Sequence, residues 1–212
     1  MDRPGPDRRF FDIWSRFYDL ELVQRLTYRP VHDALLRALV DTPVRRLLDL
    51  GCGTGLLTAR IRAAHPAAYV VGCDFSAGML RQAAAHPPAA CWAQGDALRL
   101  PFRAATFDAV VSTEAFHWFP DQAAALREMF RVLVPGGRVL IALVNPAHAA
   151  LGRAARLASR LAGEPLRWPT RERMAAELTA AGFRVTSQRR LFRLIAGILF
   201  PPVLTVALRP GT

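Results

Sequence analysis

The stretch LLDLGCGTG, residues 47–55, constrains the fold of this chain more than any other. A short apolar run, typical of a buried strand, meets three glycines within five positions, and the helix-like LLTARIRAAH follows. At the end of such a strand one glycine allows a sharp turn, the next lets a ligand approach the main chain, and the third lets the helix pack. The start of the helix would also offer unpaired N–H groups. The pattern therefore predicts a strand–turn–helix unit that binds a ligand.

Strand-like and helix-like segments alternate along the chain from this point onwards. Alternation of this kind indicates a mostly parallel sheet with helices on both faces, and ligands bind where the strand order reverses. We therefore predict an α/β, Rossmann-like doubly wound sheet with its site at the end of the first strand. The predicted strands span residues 45–50, 68–74, 89–96, 107–113, 138–144, 183–191 and 203–208, and the predicted helices span 9–26, 29–40, 54–65, 76–86, 121–133, 147–162 and 170–181.

Acidic residues mark the ends of the first three predicted strands, at Asp49, Asp74 and Asp96. Asp74 occupies the place where an acid accepts hydrogen bonds from both ribose hydroxyls. The glycine spacing is G-x-G-x-G rather than the G-x-G-x-x-G of dinucleotide sites. An acid such as Asp49 would repel a pyrophosphate but attract an ammonium group. The residues therefore favour a ligand with a cationic amino-acid end, a ribose and an adenine over NAD.

With these motifs, residues 14 to 145 resemble the class I S-adenosylmethionine-dependent methyltransferases, in particular the small-molecule type related to quinone biosynthesis. The motifs that carry the resemblance are LLDLGCGTG, VVGCDFSAGML, QGDALRLPFRAATFDAVVST and LVPGGRVLIA. The resemblance implies a seven-stranded sheet in the order 3-2-1-4-5-7-6 with an antiparallel last strand. It also implies a single domain over 1–212, with capping helices in 1–43, a cofactor core in 44–145 and a substrate side in 146–212.

The resemblance further implies S-adenosylmethionine as cofactor and a set of residues that bind it. Met79 is equally interpretable as a core residue. The implied contacts are Asp49, Gly51, Cys52 and Gly53 at the methionine end, Asp74 and Phe75 at the ribose, Met79, Asp96 and Ala97 at the adenine, Ser112 and Thr113 on the methyl side, and Tyr18 as an aromatic that closes over the cofactor.

The segment STEAFHWFPD, after the fourth predicted strand, holds the candidates for catalysis. Methyl transfer from a sulfonium has a neutral leaving group, so the protein chiefly positions the reactants. A base helps only where the acceptor must lose a proton. His117 would act as that base or orient the acceptor, unless it is an ordinary loop histidine. Glu114 is a weaker candidate that would pair with His117 one helical turn away.

The positive charge of the chain is concentrated in its last third. All 28 basic side chains are arginine, the net charge is +11, and residues 151–212 hold 11 arginines against 3 acids. Two explanations of this arginine excess stay open: a compositional bias of the source, or a surface that attracts phosphate. Within it, RRLFRLIAGILFPP (189–202) is either a pocket wall or a peripheral contact with anionic lipid.

Other features narrow the compartment and the partners. The three cysteines form no CxxC pair, so we predict no metal site and no disulfide framework, and each cysteine is expected to be a small hydrophobe. No apolar run is long enough to span a membrane and no signal peptide is present, which predicts a cytoplasmic protein.

The expected partner is a small, apolar acceptor. The sequence STEAF replaces the N/D-P-P-Y/F tetrad of enzymes that methylate exocyclic amines of nucleic acids, and Cys91 lacks the Pro-Cys context of cytosine methylation. Nucleic acid is therefore disfavoured. The remaining alternatives are a nucleic-acid or protein methyltransferase, a cyclase-like enzyme with a bound cofactor, and a regulatory subunit that binds the cofactor without catalysis.

Overall fold

A computed structural model of the protein describes residues 28–40, 44–85, 90–145, 150–154, 157, 167–191 and 201–211. The predicted helix at 9–26, and with it Tyr18, lies outside these residues. The helices are α1 Arg29–Leu39, α2 Leu56–Ala64, α3 Ala77–Ala84, α4 Gln122–Val132 and α5 Arg171–Ala180, and the strands are β1 Arg46–Leu50, β2 Tyr69–Asp74, β3 Cys91–Gln94, β4 Phe107–Thr113, β5 Leu133–Val144, β6 Arg184–Arg190 and β7 Pro202–Leu208.

The strands form one seven-stranded sheet in the order β3-β2-β1-β4-β5-β7-β6. The first five strands pair in parallel, and β7 runs antiparallel to both β5 and β6. This confirms the predicted doubly wound topology. The chain leaves β1 for β2 on one side and later returns to β4 on the other, so a crevice opens at the carboxyl end of β1.

The two faces of the sheet bury separate apolar clusters. Leu48 and Leu50 belong to the cluster covered by α4 and α5, whereas Leu47 and Val70 belong to the one covered by α1 and α2. Neighbouring residues of a strand point to opposite faces, and a strand buried on both faces reads as a continuous apolar run. The run in β1 therefore anchors the strand rigidly just before the glycine turn.

Two strands, β3 and β5, differ from the predictions by more than one residue at an end. β5 begins five residues before the predicted start, because Leu133 already pairs with β4 and the segment containing Gly136 and Gly137 exchanges hydrogen bonds with Arg209. β3 is shorter than predicted and forms one edge of the sheet. Cys91, its first residue, is exposed, whereas Cys52 and Cys73 are buried, so the small-hydrophobe role expected of all three cysteines holds for those two and not for Cys91.

Some arginines stabilise the fold rather than offering a charge to a ligand. The Arg131 guanidinium binds the Glu128 carboxylate at 2.7 Å on the same helix. Arg209 donates to the carbonyls of Phe130 and Leu133 at 2.9 and 2.6 Å, and its guanidinium lies 4.7 Å from the centre of the Phe130 ring. A cation at the carboxyl end of α4 also suits the helix dipole.

Candidate active site

The glycine turn after β1 is fastened to the end of β2. The N–H groups of Gly51 and Cys52 both donate to the Cys73 carbonyl, at 2.8 and 3.2 Å. The Gly53 N–H donates to Asp74 Oδ2 at 2.9 Å, and Asp74 Oδ1 accepts from the Ser76 N–H at 2.8 Å. These N–H groups of the turn are therefore bonded within the fold and are not free to bind a phosphate.

The three glycines of the turn serve three different purposes. All have positive φ, at 73°, 55° and 79° for Gly51, Gly53 and Gly55, a region that favours glycine. A Cβ on Gly51 would overlap the side chain of Ala115, and one on Gly55 would overlap the indole of Trp92. A Cβ on Gly53 would meet no atom within 4 Å. Gly53 is thus the glycine that leaves room for a ligand, and Gly55 accommodates Trp92.

Asp49 is a buried carboxyl group at the start of this turn. It is 1% exposed, and its Oδ2 accepts a hydrogen bond from Thr58 Oγ1 at 2.6 Å. Burial raises its pKa to about 7; the Thr58 hydrogen bond opposes that rise, and the Asp74 carboxylate adds to it. A buried carboxylate is costly unless a cation neutralises it. The residues at this turn therefore fit the ammonium end of the cofactor that the resemblance implies.

The residues predicted for the ribose and adenine follow β2 and β3. Asp74 is largely enclosed: burial raises its pKa, and main-chain hydrogen bonds from Ser76, Gly53 and Phe75 oppose the rise. Phe75 is 43% exposed, whereas the Met79 side chain is buried, as its core interpretation requires. Ser76 caps α3 by accepting from the Met79 N–H at 3.2 Å, as expected for that position.

Asp96 differs from the other two acids. It lies two residues beyond the end of β3 and is exposed, and its Oδ1 accepts from the Leu98 N–H at 2.9 Å. The neighbouring Ala97 is buried. The prediction that Asp96 ends the third strand is therefore wrong by two residues, because β3 stops at Gln94 and the chain then turns.

The carboxyl end of β4 carries several buried polar atoms. Ser112 Oγ is buried and makes no hydrogen bond, and Thr113 beside it is half-buried. Glu114 has a positive φ of 49°, unusual for a residue with a side chain, and its N–H donates to the Ala142 carbonyl at 2.9 Å. Burial raises the pKa of its carboxyl to about 8, opposed by a main-chain hydrogen bond from Val144.

His117 lies in a short 3-10 helix, Phe116–Trp118, and is buried. Its Nδ1 has no hydrogen-bond partner, and burial lowers its pKa to about 3. Its ring lies beside those of Trp118 and Trp168, with centroids 5.2 and 5.7 Å away. No ion pair or hydrogen bond joins His117 to Glu114, so that predicted pair is wrong: the left-handed backbone at Glu114 interrupts the helical path on which the pairing depended.

Two buried amides beside His117 were not predicted from the sequence. Gln122 Nε2 donates to the carbonyls of Phe116 and Arg167, and Asn145 Nδ2 donates to the Pro169 carbonyl at 2.6 Å. Asn145 Oδ1 has no hydrogen-bond partner. The sequence does carry a signal for Asn145, because a polar residue directly after the apolar run of β5 is unusual enough to suggest a buried role. It carries no such signal for Gln122, since polar residues are common just after a helix N-cap.

A doubly wound sheet with a buried carboxyl, an open glycine and an acid on the neighbouring strand defines the class of enzymes that bind a cationic nucleoside at the end of β1. The comparisons with known proteins agree with that class. A family model described as "Methyltransferase domain" matches residues 48–141. A structure of an S-adenosylmethionine-dependent methyltransferase from Thermotoga maritima superposes with a TM-score of 0.74 at 21% identity, covering 95% of this chain and 97% of that one.

Two curated relatives extend the likeness to the sequence. A demethylmenaquinone methyltransferase from Streptomyces avermitilis is 34% identical over 90% of this chain and 94% of its own length. One from Deinococcus radiodurans is 37% identical over 78% of both chains. The chain therefore belongs to the S-adenosylmethionine-dependent methyltransferases, and it is an enzyme that uses S-adenosylmethionine as its cofactor.

Proposed function

We propose that this enzyme methylates a small, apolar, quinone-like acceptor. The observation that carries the proposal is the similarity to demethylmenaquinone methyltransferases over nearly the whole length of both chains. It includes the regions beyond the cofactor core, where the acceptor would bind. Nothing in the comparisons supports a nucleic-acid substrate, a cyclase or a regulatory subunit.

We place the cofactor along the carboxyl ends of β1, β2 and β3. Bound S-adenosylmethionine supplies a methyl group from its sulfonium, and the sulfur is left as a neutral thioether when the methyl group is transferred. The Asp49 carboxylate would accept hydrogen bonds from the ammonium, and the main chain at Gly53 would lie against the ligand. The Asp74 carboxylate would accept from the ribose hydroxyls while its bonds to Gly53 and Ser76 hold it in place. Support comes from the burial of Asp49 and the open space beside Gly53.

The remaining cofactor contacts stay as the sequence predicts them. Phe75, Met79, Asp96 and Ala97 would surround the ribose and the adenine, with Cys52 beside the methionine end. On the methyl side, Ser112 and Thr113 would line the cleft, and Tyr18 would close over it. The contact between Ala115 and Gly51 supports the methyl-side placement, because it brings the loop after β4 against the glycine turn.

For the acceptor side, we propose different roles for Glu114 and His117. The lowered pKa of His117 supports a neutral imidazole that accepts a hydrogen bond and orients the acceptor rather than becoming an imidazolium. The raised pKa of Glu114 supports a carboxylate that is a better proton acceptor near neutral pH. Where the acceptor must lose a proton, Glu114 would take it.

Peripheral contact with anionic lipid through 189–202 remains part of the proposal. Residues 192–200 of this segment lie outside the described residues; Arg189 and Arg190 are exposed at the end of β6. Within the described part of the chain, no helix is both long and apolar enough to cross a bilayer. We propose a cytoplasmic enzyme that reaches its acceptor at a membrane surface. Salt-sensitive sedimentation with anionic vesicles tests this contact; no binding at low salt would exclude it.

The test of function is methyl transfer from labelled S-adenosylmethionine to demethylmenaquinone. The assay needs a reductant, because electrophilic methylation requires an electron-rich ring and a quinone ring is electron-poor. We expect labelled product with the native protein and none with Asp49→Ala, which should stay folded by circular dichroism. Cofactor binding without transfer to the reduced quinone would refute the acceptor class, and failure to bind the cofactor would refute the site.

A further inference from the structure

A strap of three residues, Arg167–Pro169, lies across the turn that carries His117. The Arg167 N–H donates to the His117 carbonyl at 3.0 Å. At the far end, Asn145 Nδ2 donates to the Pro169 carbonyl at 2.6 Å. Between these points the Trp168 indole lies 5.7 Å from the His117 ring, tilted by 36°. The strap thus forms one wall around the imidazole.

Gln122 joins the strap to the turn through two hydrogen bonds of its side chain. It is the first residue of α4 and its side chain is buried. Its Nε2 donates to the Phe116 carbonyl at 3.1 Å and to the Arg167 carbonyl at 2.7 Å. One primary amide therefore satisfies two carbonyls from segments that are far apart in the chain. Among side chains of this length, a methionine has no donor and an ionised glutamate only accepts.

The imidazole of His117 depends on its neighbours for its orientation. Its buried Nδ1 makes no hydrogen bond, so no polar contact at that atom sets the angle of the ring. The main chain of His117 is bonded to Arg167, and the ring is flanked by Trp118 and Trp168. A shift of the strap would move both the carbonyl partner of His117 and one of its two flanking rings.

We propose that Gln122 is a positioning residue for the acceptor half of the site: it holds the strap so that Trp168 lies against His117. The proposal rests on the proposed function, in which His117 faces the acceptor. The cofactor half has hydrogen bonds of its own, because the glycine turn is bonded to Cys73 and Asp74; the turn meets the loop after β4 through the packing of Gly51 against Ala115, which involves no residue of the strap. Loss of the Gln122 amide therefore affects acceptor binding and leaves cofactor binding intact.

The deciding variant is Gln122→Met, which keeps the length of the side chain and removes its donors. We expect the acceptor KM to rise about tenfold, with the Kd for S-adenosylmethionine unchanged by calorimetry. The matched control is Gln188→Met. Gln188 also donates to a main-chain carbonyl, that of Arg171 at 2.9 Å, and to Thr205 Oγ1, but it lies on β6 and both of these partners lie outside Arg167–Pro169.

A second readout does not require an acceptor. The imidazole resonances of His117, assigned with a His117→Gln variant, should shift in Gln122→Met and stay in place in Gln188→Met. If the quinone proves to be the wrong acceptor, this readout still tests the positioning role. Unshifted resonances, a KM change no larger than that of the control, or a parallel loss of cofactor affinity would each overturn the proposal.

A variant of the strap itself covers the case in which Gln122→Met does not fold. Trp168→Leu leaves the Gln122 amide and its two carbonyls in place but removes the ring beside His117. It should reproduce both the KM increase and the shift of the His117 resonances, again with cofactor affinity unchanged. A Trp168→Leu protein whose His117 resonances match those of the native enzyme would refute the inference.

Discussion

The buried carboxyl of Asp49 should destabilise the cofactor-free protein at neutral pH. Burial raises its pKa from 3.8 to about 7. Between these two pH values the folded protein holds a proton that the unfolded chain has lost, so the free energy of unfolding falls as the pH rises through that window. A difference of about 3 pH units at about 1.4 kcal/mol each corresponds to about 4 kcal/mol.

The perturbation that isolates this effect is Asp49→Asn. Asparagine has the same shape and its oxygen accepts the Thr58 hydrogen bond, but it does not ionise. We expect the variant to gain stability over the native protein as the pH rises, by about 4 kcal/mol between about pH 4 and pH 8. Shifted groups that do not contribute to the Asp49 shift, such as Glu114 and His117, are present in both proteins and cancel in the difference.

Urea unfolding at several pH values, without cofactor, measures this difference directly. Saturating S-adenosylmethionine should then stabilise the native protein only, because the neutral amide no longer neutralises the ammonium group. If the difference in unfolding free energy between the two proteins does not change with pH, burial does not raise the pKa of the Asp49 carboxyl. An Asn variant that binds the cofactor as tightly as the native protein would refute the pairing with the ammonium.

Three further predictions concern the rest of the site. In the native enzyme kcat/KM should rise with pH through about 8 as Glu114 loses its proton. Glu114→Gln should abolish this rise, and a profile unaltered in the variant would exclude Glu114 as the base. Gly72→Ala should lower the free energy of unfolding in urea by about 1–3 kcal/mol, because the added Cβ overlaps the Trp92 ring. Trp92→Leu in the same chain should restore part of that loss, and no recovery would show that the strain lies elsewhere. Asp74→Ala should abolish cofactor binding by calorimetry, since the carboxylate holds the glycine turn as well as the proposed ribose position, and an unchanged Kd would refute both roles.

Much of the fold could be predicted from local patterns. Strands buried on both faces read as short apolar runs, and helices between them imply parallel pairing. Carboxyl ends of parallel strands meet at one edge, so Asp49 and Asp74 were expected to lie together, and the structure bonds Asp74 to the glycine turn beside Asp49. The particular strand order followed from the resemblance of the motifs and not from periodicity.

The sequence by itself determined the alternating elements, the glycine turn and the acids at the carboxyl ends of the first two strands, because each depends on residues close together in the chain. Only the tertiary structure decided that Gly55 makes room for Trp92, that the backbone at Glu114 is left-handed, and that Gln122 bonds to Arg167. Such contacts depend on the paths of the connecting loops, and residue periodicity carries no information about those paths.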